Sequence, residues 1–158
     1  MLWIRGVNSL DTLMKYVERI HRCGIIYMGN ELEADGLGPV QYKYIVRICA
    51  SPGKSQDELA KELYVNKSNV ARQLTLLEQN GYVRRQPCQE DRRQTLVHPT
   101  DKAIDVLPRI QQMRRVWNER LLEGIPEETR REIISAMEGI AARAQELADG
   151  SVERDSDI

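Results

Sequence analysis

The chain has 158 residues, a net charge of −1 and 41% hydrophobic residues, enough for one domain with a substantial core and no covalent staples. Its three cysteines, Cys23, Cys49 and Cys88, are odd in number and widely spaced with no C-x-x-C pair, which suggests neither a disulfide framework nor a zinc site. The opening MLWIRGVNSLD lacks the apolar core of a signal peptide and no stretch approaches about 20 apolar residues in a row, so a soluble, cytoplasmic protein with no membrane partner is expected.

In chain order, Leu10, Leu13, Met14, Val17, Ile20, Gly24, Tyr27, Met28 and Leu32 recur at steps of three and four, which predicts a long first helix from about Leu10 to Ala34 with one apolar stripe. Leu37-Gly38-Pro39 breaks and restarts the chain. Val40, Tyr44, Ile45 and Ile48 then carry a second helix to the stop at Ser51-Pro52-Gly53. Ser55 and Glu58 have the spacing of a capping box, which predicts a short third helix over about Gln56 to Leu63.

After Tyr64-Val65, Asn66 caps a fourth helix with Val70, Leu74 and Leu77 as its inner positions, and Gly81 ends it. Two helices joined by so short a turn form a helix-turn-helix, whose second helix suits the DNA major groove. Its outward face is expected to present Lys67, Ser68, Asn69, Arg72 and Gln73. Arginine can bond guanine through two donors, asparagine and glutamine can pair with adenine in the same way, and lysine and serine suit phosphates.

Tyr82 to Arg85 and Thr95 to His98 read as two strands, with Pro87 and the charged run Glu90-Asp91-Arg92-Arg93 between them. A hairpin after a helix-turn-helix makes a winged helix, with Asp91, Arg92 and Arg93 at the wing. On an extended strand, residues two apart point to one side, so Asp91 is expected to orient Arg93 toward a minor groove while Arg92 faces away. Charge supports this reading: residues 66 to 93 hold six Lys/Arg against three acids, whereas residues 94 to 158 hold nine against thirteen.

Thr100 caps a long helix carrying Ile104, Leu107, Ile110, Met113, Trp117 and Leu121, with Pro108 as a candidate kink. After Gly124-Ile125-Pro126 a last helix carries Ile133, Ile134, Met137, Ile140, Ala141, Ala144 and Leu147. A winged helix cannot cover all these stripes, so a two-fold dimer is expected to bury them. The polar residues 149–158 are expected to be a disordered tail. The predicted architecture is mainly α with a small β-wing: a first dimerisation helix over 1–35, a winged helix-turn-helix over 36–99 and two further dimerisation helices over 100–148.

The runs Leu59 to Leu63, Asn66 to Arg72, Leu77 to Arg85, Asp91 to Arg93 and Pro99 to Ala103 stand in one order, and with Gly36 to Gln41 they resemble the MarR family of bacterial transcription regulators. The resemblance covers roughly residues 36 to 103. The chain departs from the family's usual pattern at Pro99, where leucine is common, and at Ala103, where glycine is. The resemblance implies a homodimer that binds a pseudo-palindromic operator in double-stranded DNA, as a repressor, through Ser55, Lys67, Ser68, Asn69, Arg72, Gln73, Asp91, Arg92 and Arg93. It also implies a small aromatic or phenolic effector, for which Tyr16, Tyr27, Tyr42, Tyr44 and Trp117 are the candidate lining, although such residues are more often plain core. A cysteine-based redox sensor is the alternative, with Cys23 as its residue, against the reading of a buried inert thiol.

Catalysis has no support. Glu18 and His21 have the Glu-x-x-His spacing of a carboxylate-bridged metal site, but the only other histidine is His98 in the wing. No glycine-rich phosphate loop, no G-x-S-x-G and no paired nucleophile and base are present, so neither metal nor cofactor is expected.

Overall fold

A computed structural model describes residues 9–89, 91 and 94–155, with side chains described for 12–89, 91 and 94–150. Among the described residues six helices are formed: α1 (Ser9–Leu32), α2 (Gln41–Ala50), α3 (Gln56–Leu63), α4 (Lys67–Gln79), α5 (Asp101–Leu121) and α6 (Glu127–Asp155). A 3-10 turn, Glu33–Asp35, follows α1. Three short strands, β1 (Lys54–Ser55), β2 (Val83–Pro87) and β3 (Thr95–Pro99), make an antiparallel sheet in the order β1-β3-β2. The chain divides into two compact units after Trp117, within α5. No helix among the described residues is long and apolar enough to cross a membrane.

The helix ends follow their local chemistry. Ser55 and Glu58 form the full capping box at the start of α3, the Glu58 N–H donating to Ser55 Oγ at 3.2 Å and the Ser55 N–H to Glu58 Oε2 at 2.8 Å. Asn66 Oδ1 accepts from the Asn69 N–H at 2.7 Å and so starts α4. At the other end of α4, Gly81 takes φ +74°, its N–H bonds Glu78 O, and the Tyr82 N–H bonds Leu77 O at 2.8 Å. That pair of bonds is a Schellman ending, and it requires the left-handed conformation that glycine adopts without steric cost.

The core of the first unit lies among α2, α3, α4 and the sheet, closed by the C-terminal half of α1 and part of α5. Ile45, Ile48, Leu59, Val70, Leu74, Leu77 and Val97 are fully buried in it, with Leu32 from α1 and Ile110 from α5. Alternate residues of β2 and β3 supply Val83 and Val97 to the inside. The core face of α5 is Ala103, Val106, Ile110 and Met113, one residue out of phase at its start with the expected stripe. Ile104 is exposed because it lies 100° round the helix from Ala103, which packs inward. Pro108 sits inside the continuous helix.

Two expected stripes are not covered within the chain. Among the described side chains of α1 only Met28 and Leu32 are buried, while Leu13, Met14 and Ile20 are exposed; the side chain of Leu10 lies outside the described residues. On α6, Ile133, Ile134, Met137, Ile140 and Leu147 are all exposed. The helix also continues to Asp155, through residues the sequence reading assigned to a disordered tail. Once a helix is nucleated each further residue adds a backbone hydrogen bond, so polar sequence alone does not end it. Residues 156–158 lie outside the described residues.

Candidate nucleic-acid interface

The turn that joins α3 to α4 spans residues 64–66. Tyr64 adopts φ +52°, its N–H bonds Lys61 O, and the Val65 N–H bonds Ala60 O. This is the same helix ending as at Gly81, made here by a side-chain-bearing residue at a steric cost of about 1 kcal/mol or more. The turn leaves the first residues of α4 at the surface. Lys67, Ser68 and Arg72 are exposed and Asn69 is half-buried. Lys67 Nζ donates to Asp57 Oδ2 of α3 at 2.7 Å. Burial raises the Tyr44 phenol pKa and the positive charge of Arg72 opposes that rise.

Two expected members do not reach this face. Gln73 is 8% exposed on the inner side of α4. It stands three residues after Val70 and four before Leu77, so helical geometry places it on the buried stripe, whatever its polarity. Its carboxamide makes no hydrogen bond among the described residues, whereas Leu76 and Gln79 share the exposed side with Arg72. Ser55 is also buried, at 5% exposure, and its hydroxyl is engaged with Glu58 as both donor and acceptor.

The wing is β2 and β3, paired from Val83↔Pro99 to Pro87↔Thr95. β3 also pairs with β1 through Lys54↔Val97 and Ser55↔Leu96. Beyond the ladder, the Cys88 N–H bonds Gln94 O and the Gln94 N–H bonds Asp91 O, each at 2.9 Å. Asp91 lies outside both strands, and its carboxylate accepts from Gln94 Nε2 at 3.3 Å. Glu90, Arg92 and Arg93 lie outside the described residues, and with them the expected Asp91–Arg93 pair.

A lock between α4 and the wing was not legible beforehand. Arg85 of β2 gives Glu78 of α4 three hydrogen bonds: N–H to Oε1 at 3.1 Å, Nε to Oε2 at 2.9 Å and Nη2 to Oε2 at 2.6 Å. The Arg85 side chain holds the Glu78 carboxyl below the usual carboxylate range, partial burial opposes it and the Arg85 backbone N–H assists. Glu58 is shifted the same way, first by the Ser55 backbone N–H and then by its hydroxyl. A carboxylate whose folded pKa is depressed stabilises fully above its unfolded value, about 4.3 for glutamate, and loses that contribution as pH falls through the folded pKa. The melting temperature is therefore expected to fall with acid below about pH 4.3, and Glu78→Gln to flatten that fall while costing no more than about 1 kcal/mol at neutral pH, because the pair is partly exposed. Thermal unfolding at steps from pH 6 to 3 measures both; identical profiles for the two proteins would remove the lock from the stability account.

The other candidates are dispersed. Tyr44 is buried core, Tyr42 is half-buried against it, and Tyr16 is 54% exposed on α1. Tyr27 and Trp117 do come together, with ring centroids 5.0 Å apart and planes tilted by 31°. Cys23 is exposed on α1, not buried as the inert-thiol reading expected. It stands five residues before the buried Met28, about 140° round α1 from it, which puts it off the Met28–Leu32 side of that helix. Among the described residues no group of three or more His, Cys, Asp or Glu could hold a metal ion.

This arrangement of helix-turn-helix, capped exposed helix and two-stranded wing has relatives. The MarR family model matches residues 37–95, and the structure of a MarR transcriptional regulator from Methanosarcina mazei Go1 superposes with a TM-score of 0.84, at 28% identity over 87% of this chain and 99% of that one. Over these residues the chain is similar to the MarR family. Members of the MarR family are transcription regulators, not enzymes. The HTH-type transcriptional regulator YybA of Bacillus subtilis (strain 168) is 32% identical over 97 residues, 61% of this chain and 64% of that protein, so the chain spans under two thirds of that relative's length. A MarR family transcriptional regulator from Listeria monocytogenes complexed with 26mer DNA shares the fold, with a TM-score of 0.78 at 22% identity over 85% of this chain and 89% of that one.

Proposed function

We propose that this protein is a MarR-family transcription regulator that binds double-stranded DNA as a homodimer, with α4 in the major groove of each half of a pseudo-palindromic site. The observation that carries the reading is the exposed N-terminal face of α4, where Lys67, Ser68 and Arg72 stand free of the core with half-buried Asn69 beside them. Arg72 then reads a base edge, and Lys67 exchanges Asp57 for a phosphate. The wing, whose tip carries Arg92 and Arg93 in sequence, reaches flanking backbone or minor groove. The same reading makes the protein a repressor that a small aromatic or phenolic ligand releases; the half-buried Tyr27–Trp117 pair is the feature favouring such a ligand.

Dimerisation is supported by the exposed apolar residues of α1 and, separately, of α6, since contiguous exposed apolar surface of this kind marks an interface. Ile134→Asp is expected to convert a dimer at micromolar concentration to a monomer and to abolish high-affinity binding, because each half-site then binds alone. The test is a mobility-shift titration against the DNA upstream of its own gene at two salt concentrations, with oligomeric state measured by ultracentrifugation. With about six phosphates neutralised per dimer, affinity should drop roughly a thousandfold between 50 and 200 mM salt. A monomer that binds random duplex as well as any promoter would refute the proposal.

A further inference from the structure

The C-terminal end of α4 is held from two directions, and the same few residues hold both. From α5, Lys102 Nζ donates to Asn80 O at 2.8 Å and lies over the Tyr82 ring, 4.3 Å from its centroid. From the segment after α1, Asp35 O accepts the Tyr82 hydroxyl at 2.7 Å and Gly36 O accepts Asn80 Nδ2 at 2.9 Å. Arg109 of α5 closes the triangle: its Nη1 meets Asp35 Oδ2 at 2.6 Å and its Nη2 donates to Glu31 O, also at 2.6 Å. Asp35 is thus the shared node, its backbone oxygen tied to the recognition helix through Tyr82 and its carboxylate tied to α5 through Arg109. Tyr82 is 2% exposed, so its hydroxyl has few alternatives to this bond.

The position of this joint gives it leverage. It sits just past the end of α4, whereas Lys67 stands at the start and Arg72 near the middle. At 1.5 Å per residue Arg72 is about 12 Å from the joint and Lys67 about 20 Å, so a tilt of about 5° there moves Arg72 by about 1 Å and Lys67 by nearly 2 Å, enough to break a directed hydrogen bond. We propose that Tyr82, Asp35 and Arg109 are positioning residues that fix the angle of the recognition helix against α1 and α5, and so set which half-site spacing the protein accepts. The inference rests on the dimeric DNA-binding reading above. None of the three residues touches DNA in this account; each acts through α4.

Such a joint shows itself in the dependence of affinity on spacing. One base pair added between half-sites displaces one of them by about 3.4 Å and turns it by about 35°. For the unmodified protein, affinity for a palindromic duplex is expected to fall at least tenfold when the half-site separation is changed by one base pair. Tyr82→Phe removes only the bond to Asp35 O; it should bind the best duplex about fivefold more weakly, lose only about threefold on the same change of spacing, and keep its affinity for a single half-site. Arg109→Lys keeps the charge facing Asp35 but cannot serve Asp35 and Glu31 O together, and should flatten the spacing profile in the same direction; being exposed at 47%, it remains a test if Tyr82→Phe folds poorly. Val46→Ala, a packing loss in α2 outside the joint, should lower the melting temperature and leave the profile sharp. Spacing profiles of both joint variants that overlay the original, or a flattening matched by Val46→Ala, would overturn the inference and leave the DNA-binding reading intact. An original protein that binds no palindrome more tightly than a single half-site would instead overturn that reading, and this inference with it.

Discussion

Replacing Arg72 with alanine is expected to weaken binding to the cognate operator by about 2 to 6 kcal/mol, roughly thirtyfold to 25,000-fold, and to relax the base preference at one position of each half-site. The range follows from one two-donor contact to guanine, about 1 to 3 kcal/mol, made twice by a dimer. Arg72 is on the exposed side of α4 and outside the buried core, so the folded state should lose little. Lys67→Ala is the companion measurement. It removes a phosphate contact, should weaken all duplexes alike, and should make the salt slope shallower by about 1 per copy. Its ion pair with Asp57 has both side chains more than half exposed and adds little to stability. If the two changes lower affinity for operator and random duplex by the same factor, the base-reading side of α4 is elsewhere.

Leu74→Ala is expected to cost about 2 to 5 kcal/mol of folding stability, the largest stability effect in the set, and to lower the melting temperature by roughly 10 °C. Leu74 is fully buried at the centre of the inner face of α4, between Val70 and Leu77 on that helix and within the one core that α2, α3 and the sheet share. Truncation leaves a cavity lined by residues of several elements, which cannot all relax into it. Urea unfolding measures the change, with an unaltered slope expected because the surface exposed on unfolding is nearly the same. Ile134→Ala on α6 is the contrast. Ile134 is 49% exposed in the single chain, so at concentrations low enough to separate two copies the substitution should cost far less, and its cost should grow with protein concentration as association couples to folding. A concentration-independent loss as large as that of Leu74→Ala would mean that the α6 stripe is covered within the chain.

Much of the site was legible because it is made by neighbours in sequence. The capping box of Ser55 and Glu58, the Asn66 cap and the glycine ending at Gly81 each close over at most five residues, so residue type and spacing suffice to place α3, α4 and the turn between them. The hairpin follows from two β-prone runs for the same reason. The two-residue strand β1 was not legible, because Lys54 and Ser55 are a strand only by virtue of their pairing with Leu96 and Val97, some forty residues away. Gln73 faces inward because helical phase, not polarity, sets its side. Its amide is polar, but a 100° step per residue puts it between Val70, Leu74 and Leu77.

The sequence by itself determined the local elements, their order and a family resemblance, since caps, turns and apolar periods act over a few residues and need no knowledge of what lies across the fold. Only the tertiary structure decided which surfaces are covered and which distant residues meet. The stripes on α1 and α6 have the periodicity of buried faces, yet most of their residues are exposed in one chain, because burial depends on a partner surface that no local pattern encodes. The joint at Asp35 brings together Tyr82, 47 residues later, and Arg109 beyond it. No spacing rule reaches that far: the bonds form because packing of α1, α4 and α5 on a shared core has already carried the loss of chain entropy that would otherwise keep those residues apart.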